Sequence, residues 1–382
     1  MNPVLIFGAG RTGRGFAAHA CARAGVPFAL IDRDRALIAA LRDAASFRVE
    51  VLGREEVVRL EPAFVAHVDD DWQDAFDAAG LAFTAVFGNN LGALGGTLAR
   101  ALTRRHARHP RRPLDIITLE NLAHAAATLR AATIGALDAT VADAVAARTG
   151  FVEGIVLKTC LAPRADVAGR DPLRVLAQDL FRIPCDADAF VGPRRPLPDL
   201  DPLPRFGHQL VRKIYTYNGI NAVISYVGAA RGHRELSAAT ADPAILALAR
   251  RAGAEAGHGL IGAYGFAGAE QRAWTDQAIA KFADPAIPDP IARNAADPER
   301  KLQRDDRLVG PALLALEHGV EPTAFASAIV AAMGYRDAGA PSQLERLGSI
   351  DAVLSRVCGL AIDGPLAALV RAAARDEAPS RG

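Results

Sequence analysis

A glycine-rich turn between an apolar strand and a helix is the feature that most narrows the folds open to this chain. The run Val4–Phe7 predicts a buried strand, GAGRTG (8–13) follows it directly, and a helical pattern continues to about Arg23. A strand, turn and helix of this kind open a dinucleotide-binding βαβ unit. Glycines also occur in ordinary turns, so the position of the motif is stronger evidence than the motif alone.

Each glycine of the turn has its own expected role. Gly8 allows the tight turn, Gly10 lets a pyrophosphate approach the backbone, and Gly13 lets the helix pack against the strand. The free N–H groups at the start of the helix, around Arg11 and Thr12, favour a bound phosphate. The sequence therefore predicts that these residues bind a dinucleotide.

An acidic residue lies where such a domain needs one. Asp32 ends the second apolar strand, PFALID, 19 residues after Gly13. A carboxylate at this place accepts hydrogen bonds from the adenosine ribose, which favours NAD over NADP. Arg11 and Arg33 flank the site and keep NADP as the alternative cofactor. Asp32 has a competing structural role as a helix N-cap or turn residue.

Strands and helices alternate over the first half of the chain. Further strands are predicted at 47–53, 82–88 and 114–121. Alternation of this kind is typical of a parallel sheet with helical crossovers. A proline-rich link at 192–204 then precedes long Ala- and Leu-rich segments at helical spacing. We therefore predict an α/β fold with a Rossmann-type NAD-binding domain (1–192) followed by an all-helical substrate and catalytic domain (193–382).

Composition argues against several other classes of protein. The 382 residues include 44 Lys and Arg against 43 Asp and Glu, so no charge excess favours nucleic acid or an anionic membrane as partner. No run reaches the roughly 18 unbroken apolar residues of a membrane span. The four scattered cysteines fit a reducing cytoplasm and predict no metal site. The oligomeric state stays open between a monomer and a small homo-oligomer.

A polar cluster lies in the helical half. Lys213, Asn218 and Asn221 stand among apolar residues in KIYTYNGINA (213–222), where an α-helix would place them on one broad face. Burial lowers the pKa of a lysine from about 10.4, so Lys213 is a candidate general base. Amide groups polarise a carbonyl without titrating. In the competing interpretation the lysine extends to solvent and the asparagines pack or cap.

Glu120 and Asn121 end another apolar strand, IITLEN. Ligands of open α/β sheets bind at the carboxyl ends of strands, so both residues are candidates for cofactor binding. Helix capping is a serious competing role for both.

Short motifs are spread over nearly the whole chain. In order they are GAGRTGRGF, LEN (119–121), GFVEGIV (150–156), DPLRV (171–175), RKIYTYN (212–218), AYGF (263–266), RKLQRDDRL (300–308), LEHG (316–319) and AAMGYR (331–336). Together they resemble the polyol-specific long-chain dehydrogenases, and within them most closely the mannitol-1-phosphate 5-dehydrogenase type. The resemblance implies a metal-independent, NAD-dependent oxidoreductase in which Lys213 is the acid/base. It also implies that Asn121 and Asn218 hold the oxygen at the reacting carbon.

The chain departs from this family at two places. Asn221 stands where a histidine is usual, and Leu157-Lys158 stands where Asp-Arg is usual. The changes remove a titrating group, a carboxylate and a bidentate guanidinium. They predict a retained hydride transfer on an altered polyol, sugar-phosphate or sugar-acid substrate, with Asn221 orienting a hydroxyl.

Four cations are candidate anchors for a phosphate or carboxylate of the substrate: Lys158, Arg300, Lys301 and Arg307. A salt bridge within the protein is an equal alternative for each of them.

Two other functions also stay open. One is a β-hydroxyacid or ketopantoate-type reductase, and the other is a dinucleotide-binding homologue that has lost catalysis.

Overall fold

The computed structural model describes residues 2–122, 124–163, 165–193 and 197–377. By its contacts the chain divides into two compact units, Met1–Phe206 (unit 1) and Gly207–Gly382 (unit 2). The sequence analysis places the boundary earlier, after residue 192. Residues 194–196 of the predicted link lie outside the described residues.

Unit 1 is an α/β domain. Its strands are β1 (Val4–Phe7), β2 (Phe28–Asp32), β3 (Phe47–Leu52), β4 (Glu56–Leu60), β5 (Phe64–His67), β6 (Leu81–Thr84), β7 (Leu114–Thr118), β8 (Thr149–Glu153), β9 (Cys160–Leu161), β10 (Val175–Gln178), β11 (Ile183–Asp186) and β12 (Leu200–Leu203). Six of them form a parallel sheet in the order β5-β2-β1-β6-β7-β8. This doubly wound arrangement is the Rossmann type, so the predicted fold class is confirmed.

Helices cover both faces of this sheet. In unit 1 they are α1 (His19–Arg23), α2 (Arg35–Ala44), α3 (Gln73–Ala78), α4 (Leu91–Arg108), α5 (Ala125–Gly135), α6 (Ala139–Ala146) and α7 (Ala165–Ala168). Alternate residues of β1 enter different cores, because successive side chains of a strand point to opposite faces. Val4 and Ile6 pack in one core, whereas Leu5 and Phe7 pack in the other.

Two smaller sheets differ from the prediction. The stretch predicted as β-rich at 47–53 forms β3, which pairs with β10 more than a hundred residues later in the sheet β4-β3-β10-β9. The passage predicted as a link at 192–204 contains β12, which pairs in parallel with β11. Both pairings are long-range, so no local pattern announces them.

Two predicted strands are shorter in the structure. The strand predicted at 82–88 ends at Thr84, and the strand predicted at 114–121 ends at Thr118. The reason lies in the turn after β6, where Val86 N–H donates to the Glu120 carboxylate over 2.8 Å and Phe87 adopts φ +66°. Both segments therefore leave the sheet early and form its carboxyl edge.

Unit 2 is helical. Its helices, with the one that enters it, are α8 (Phe206–Lys213), α9 (Gly219–Ala230), α10 (Leu236–Ala241), α11 (Pro243–Tyr264), α12 (Gly268–Ala283), α13 (Ile291–Ala295), α14 (Pro298–Lys301), α15 (Val309–Glu317), α16 (Thr323–Gly334), α17 (Gln343–Leu347), α18 (Ile350–Arg356) and α19 (Pro365–Glu377). None of the helices in the described ranges is both long and apolar enough to span a bilayer.

Two π-helical turns interrupt this regular pattern. The first π-turn is Gly13–Ala18, between the glycine-rich turn and α1, and the second π-turn is Ile214–Asn218, between α8 and α9. Such turns have i to i+5 hydrogen bonds, are rare, and occur frequently at functional sites. Both lie in segments that the sequence selects for function.

Candidate functional site

The three glycines of the turn have three different steric surroundings. A β-carbon on Gly8, which has φ +103°, would lie 2.2 Å from the carbonyl oxygen of Ala85. A β-carbon on Gly13 would lie 1.8 Å from the carbonyl oxygen of Gly8. Gly10 alone of the three has no atom within 4 Å of its β-carbon position. Gly8 and Gly13 are therefore required by the turn itself, whereas Gly10 leaves open space beside the backbone.

Asp32 is joined to this turn. Its carboxylate accepts the backbone N–H of Ala9 over 2.6 Å and that of Asp34 over 2.9 Å. The N-cap of α2 is Asp34, which accepts from Leu37, so the competing N-cap role of Asp32 belongs to its neighbour. Asp32 remains partly exposed at the end of β2, where a ribose hydroxyl could also reach it.

The side chains that flank the turn differ in their exposure to solvent. Arg11 and Arg33 are exposed, and Thr12 is partly buried. Arg14, the next residue after Gly13, is buried instead and donates to the carbonyl oxygen of Leu173. Burial lowers the pKa of Arg14 to about 10. Arg11 and Arg33 are therefore the accessible cations beside the predicted ribose site.

Glu120 and Asn121 lie just beyond the carboxyl end of β7. Glu120 is buried and accepts from Val86 N–H and from the Thr84 hydroxyl over 3.3 Å, and burial raises its pKa. It therefore fixes the loop after β6, which is a role in shaping the site. Asn121 is exposed at the same edge of the sheet.

Phe87 at this edge is not among the site residues that the sequence predicts. Phe87 is 74% exposed and has φ +66°, a left-handed conformation that only glycine adopts readily. Exposed Leu122 lies beside the same loop, where its Cδ2 would be 2.8 Å from a β-carbon on Gly88. Strained backbone and exposed apolar side chains at a strand end often mark a binding site, but no sequence pattern signals φ.

Lys158 lies in a buried cluster within unit 1. It is 3% exposed, its ammonium lies 3.3 Å from Nδ1 of His19, and it sits 4.3 Å from the centre of the Phe181 ring. Burial lowers the pKa of Lys158 to about 8, and burial with the Lys158 charge lowers that of His19 to about 4. Neutral His19 is therefore an acceptor for the ammonium, which has partners inside the protein.

Lys213 ends α8 and is partly buried. Its pKa is lowered to about 8, first by burial and then by the positive charges of Lys281 and Arg307. A lysine with this pKa exchanges a proton readily near neutral pH, which is what a general acid or base requires.

The second π-turn follows Lys213 directly and ends at Asn218. The N–H of Gly219 reaches back five residues to the carbonyl oxygen of Ile214. The α-helical spacing assumed in the sequence analysis is therefore wrong for this segment. Because a π-turn closes over five residues rather than four, Asn218 lies closer to a position directly above Lys213 than it would in an α-helix. The turn thus brings the amide and the ammonium toward one face.

Asn221 is held by a second asparagine. Its Nδ2 donates to Oδ1 of Asn294 over 3.1 Å, and its Oδ1 accepts from Ser225 over 3.4 Å. Asn294 donates in turn to the Asp289 carboxylate and to the carbonyl oxygen of Pro290. The amide at the position of the family histidine is therefore oriented by a hydrogen-bonded chain, with one N–H and one lone pair left over.

The other predicted anchors are in unit 2 and have partners within it. Arg300 pairs with Asp297 over 2.7 Å and with Asp306 over 3.0 Å. Arg307 pairs with Asp306 over 2.6 Å. Lys301 is buried, donates to the carbonyl oxygens of Asn294 and Ala296, and has its pKa lowered to about 8 by burial.

Within the described residues, no group of three or more His, Cys, Asp or Glu side chains is placed to hold a metal ion. Cys21 and Cys358 are buried, free thiols. The polar groups described above are a lysine of lowered pKa, several amides and a glycine-rich turn.

Comparisons with known proteins match both units. The Mannitol dehydrogenase Rossmann domain family matches residues 2–198, and the Mannitol dehydrogenase C-terminal domain family matches residues 209–355. A crystal structure of D-sorbitol dehydrogenase in substrate-free form has a TM-score of 0.81 at 16% identity, covering 96% of this chain and 90% of that one. The ternary complex of Pseudomonas fluorescens mannitol 2-dehydrogenase with NAD and D-mannitol has a TM-score of 0.70 at 17% identity, covering 98% of this chain and 91% of that one.

Proposed function

This chain belongs to the mannitol dehydrogenase family, and we propose that it is an NAD(H)-dependent oxidoreductase that interconverts a secondary alcohol and a ketone on a polyol-type substrate. The observation that carries the proposal is Lys213, a partly buried lysine whose pKa is lowered to about 8, one π-turn away from Asn218. The lysine supplies proton transfer near neutral pH and the amide supplies a hydrogen-bond donor.

The residues of unit 1 fit a bound dinucleotide. Open space beside Gly10 admits a pyrophosphate, and the partly exposed Asp32 is placed for a ribose hydroxyl. NAD as the cofactor is supported by the likeness to the mannitol 2-dehydrogenase solved with NAD. When bound, the nicotinamide accepts or supplies the hydride. The protein contributes the binding, the orientation and the proton transfer.

Lys213 is the proposed general acid and base. In oxidation its neutral amine takes the proton of the substrate hydroxyl as the hydride leaves the carbon that bears this hydroxyl. In reduction its ammonium returns that proton to the carbonyl oxygen. The amides of Asn121 and Asn218 donate to that oxygen as negative charge develops on it, which stabilises the transition state.

We propose an uncharged polyol or ketose rather than a phosphorylated or acidic substrate. Arg300 and Arg307 share Asp306, Lys301 donates to two backbone carbonyls, and Lys158 is buried against His19. A phosphate would approach arginines whose charge is already offset by the Asp306 carboxylate, whereas a neutral hydroxyl needs only amide and hydroxyl contacts such as those of Asn221. The polyols named in the two similar structures, sorbitol and mannitol, support the same class.

The test of the proton-transfer role is Lys213→Ala. We expect turnover to fall by roughly 10²–10⁴-fold, the usual contribution of a general acid or base, with NADH binding unchanged. Lys281→Met is the matched control, because it removes a neighbouring charge that lowers the pKa of Lys213 but keeps the reacting amine, so its pH midpoint should rise while its plateau rate stays native. Steady-state rates and NADH fluorescence titration measure both quantities. Full activity of Lys213→Ala would contradict the proposal.

The substrate class is tested by an NADH-oxidation screen over ketoses, their phosphates and keto acids, repeated with NADPH. We expect the highest kcat/KM on an unphosphorylated ketose with NADH. A preference for phosphorylated ketoses would overturn the uncharged-substrate proposal alone. Tight NADH binding with no turnover on any of these compounds would instead favour a catalytically inactive homologue.

A further inference from the structure

The second π-turn is held by side chains of α12. Thr216, in the middle of the turn, is fully buried, and its hydroxyl accepts from Nε2 of Gln271 over 2.9 Å. The other end of the same amide, Oε1, accepts from Nε of Arg212 over 2.8 Å. Gln271 is 2% exposed, so both hydrogen bonds are shielded from water. One amide on α12 therefore contacts the chain immediately before Lys213 and three residues after it.

The orientation of that amide is fixed by its partners. Arginine has only donors, so Arg212 must face the carbonyl end of Gln271, and the NH₂ end must face Thr216. Gly257 on α11 makes room for the side chain, because a β-carbon there would lie 3.3 Å from Cγ of Gln271. The glutamine is thus seated in one position with one orientation.

Arg212 is anchored in its own right. Its guanidinium is fully buried, pairs with Glu270 over 2.6 Å, and lies 4.5 Å from the Phe266 ring and 4.4 Å from the Trp274 ring. These contacts hold the end of α8 against α12. The link from Arg212 through Gln271 to Thr216 therefore ties the π-turn to a fixed point.

We infer that Gln271 is a positioning residue for Lys213, because it joins Arg212 to Thr216 and thereby keeps Ile214–Asn218 in the π-helical form that sets Lys213 and Asn218 on one face. Without these hydrogen bonds the segment gains by relaxing to an α-helix, whose i to i+4 bonding is the common form. Relaxation would rotate Asn218 away from Lys213. The inference rests on the proposed role of Lys213 as acid and base.

The test uses a matched pair at the other end of the hydrogen bond. Thr216→Val keeps the shape and the β-branch but removes the acceptor, whereas Thr216→Ser keeps the hydroxyl. We expect Thr216→Val to lose roughly 10- to 100-fold in kcat, the effect of a misplacement of about 1 Å, with the dissociation constant of NADH unchanged. Thr216→Ser should stay within about threefold of the native rate. Gln271→Met, which removes both hydrogen bonds at similar volume, should match Thr216→Val.

A second readout separates positioning from general damage. The charged groups that act on Lys213 are Lys281 on α12 and Arg307, and their distances change if the π-turn relaxes. We expect the pH midpoint of polyol oxidation to shift by at least about half a unit in Thr216→Val and not in Thr216→Ser. Gln343→Met is the control for losing a buried glutamine elsewhere in unit 2, and its midpoint should stay native.

The outcomes are distinguishable. If Thr216→Val and Gln271→Met keep the native kcat and pH midpoint, the inference is overturned while the role of Lys213 stands. If both variants lose NADH binding and kcat together, the contacts are structural only and the inference is also overturned. If Lys213→Ala is fully active, the proposed function itself fails.

Discussion

The two π-turns of this protein are stabilised in different ways. The first π-turn contains Gly13 and Gly15, and a β-carbon on Gly15 would lie 2.7 Å from the Val175 side chain and 2.9 Å from Sγ of Cys160. The second π-turn has no glycine and is tied by Gln271, which donates to Thr216 and accepts from Arg212. The first is thus set by close backbone packing, and the second by buried polar side chains.

The difference follows from what each turn presents to a ligand. A dinucleotide phosphate is recognised by backbone N–H groups, so the first turn needs small residues and close packing. Proton transfer needs a side chain at a defined place, so the second turn needs partners that fix its rotation. Damage to the first turn should therefore affect stability and cofactor binding, and damage to the second should affect the rate.

The largest effect is expected at Gly13. Gly13→Ala places a methyl group 1.8 Å from the carbonyl oxygen of Gly8, and the backbone must move to avoid it. We expect the free energy of unfolding to fall by about 3 kcal/mol, the upper range for an overpacked site, and NADH binding to be lost. Urea denaturation and NADH fluorescence titration measure the two effects.

Gly10→Ala is the matched variant in the same turn. Its β-carbon would meet no protein atom within 4 Å, so the free energy of unfolding should stay within about 0.5 kcal/mol of native. The dissociation constant for NADH should rise by roughly tenfold, because the methyl group occupies the space of the pyrophosphate. Native affinity for NADH in this stable variant would show that the phosphates bind elsewhere.

A smaller effect is expected at Asn221, in the helix that follows the second π-turn. Asn221→His restores the residue typical of the family but replaces the amide that donates to Asn294. We expect less than a tenfold change in kcat and a changed ratio of kcat/KM between ketoses that differ at one hydroxyl. If that ratio is unchanged while the fold is intact, Asn221 does not orient a substrate hydroxyl.

The sequence predicts the structure around the glycine-rich turn of unit 1 better than the structure around Lys213 in unit 2. The glycine turn, β1, β2 and the parallel sheet follow from local periodicity and from the steric needs of Gly8 and Gly13. The predicted ends of β6 and β7 are too late, because the N–H of Val86 donates to the carboxylate of Glu120, which lies far along the chain. Local pattern cannot contain a partner that tertiary folding supplies.

The same reason explains what was missed around Lys213. The helical wheel assumed an α-helix, but Gln271, more than fifty residues away, bonds within the segment where the structure has a π-turn. For Arg300, Lys301 and Arg307 the sequence indicates partners within the protein only as a general alternative to substrate binding, and it does not identify those partners. The motif resemblance selects the lysine and the asparagines as candidates, whereas their geometry depends on these distant contacts.

The most direct test of the central claim is the pH dependence of catalysis in both directions. Lys213 must be neutral to accept a proton and charged to donate one, and its pKa is lowered to about 8. We therefore predict that polyol oxidation rises with pH through a midpoint near 8, and that ketose reduction falls through the same midpoint. Profiles without that shared midpoint, or with a midpoint near the ordinary lysine pKa of about 10.4, would contradict the assignment of Lys213.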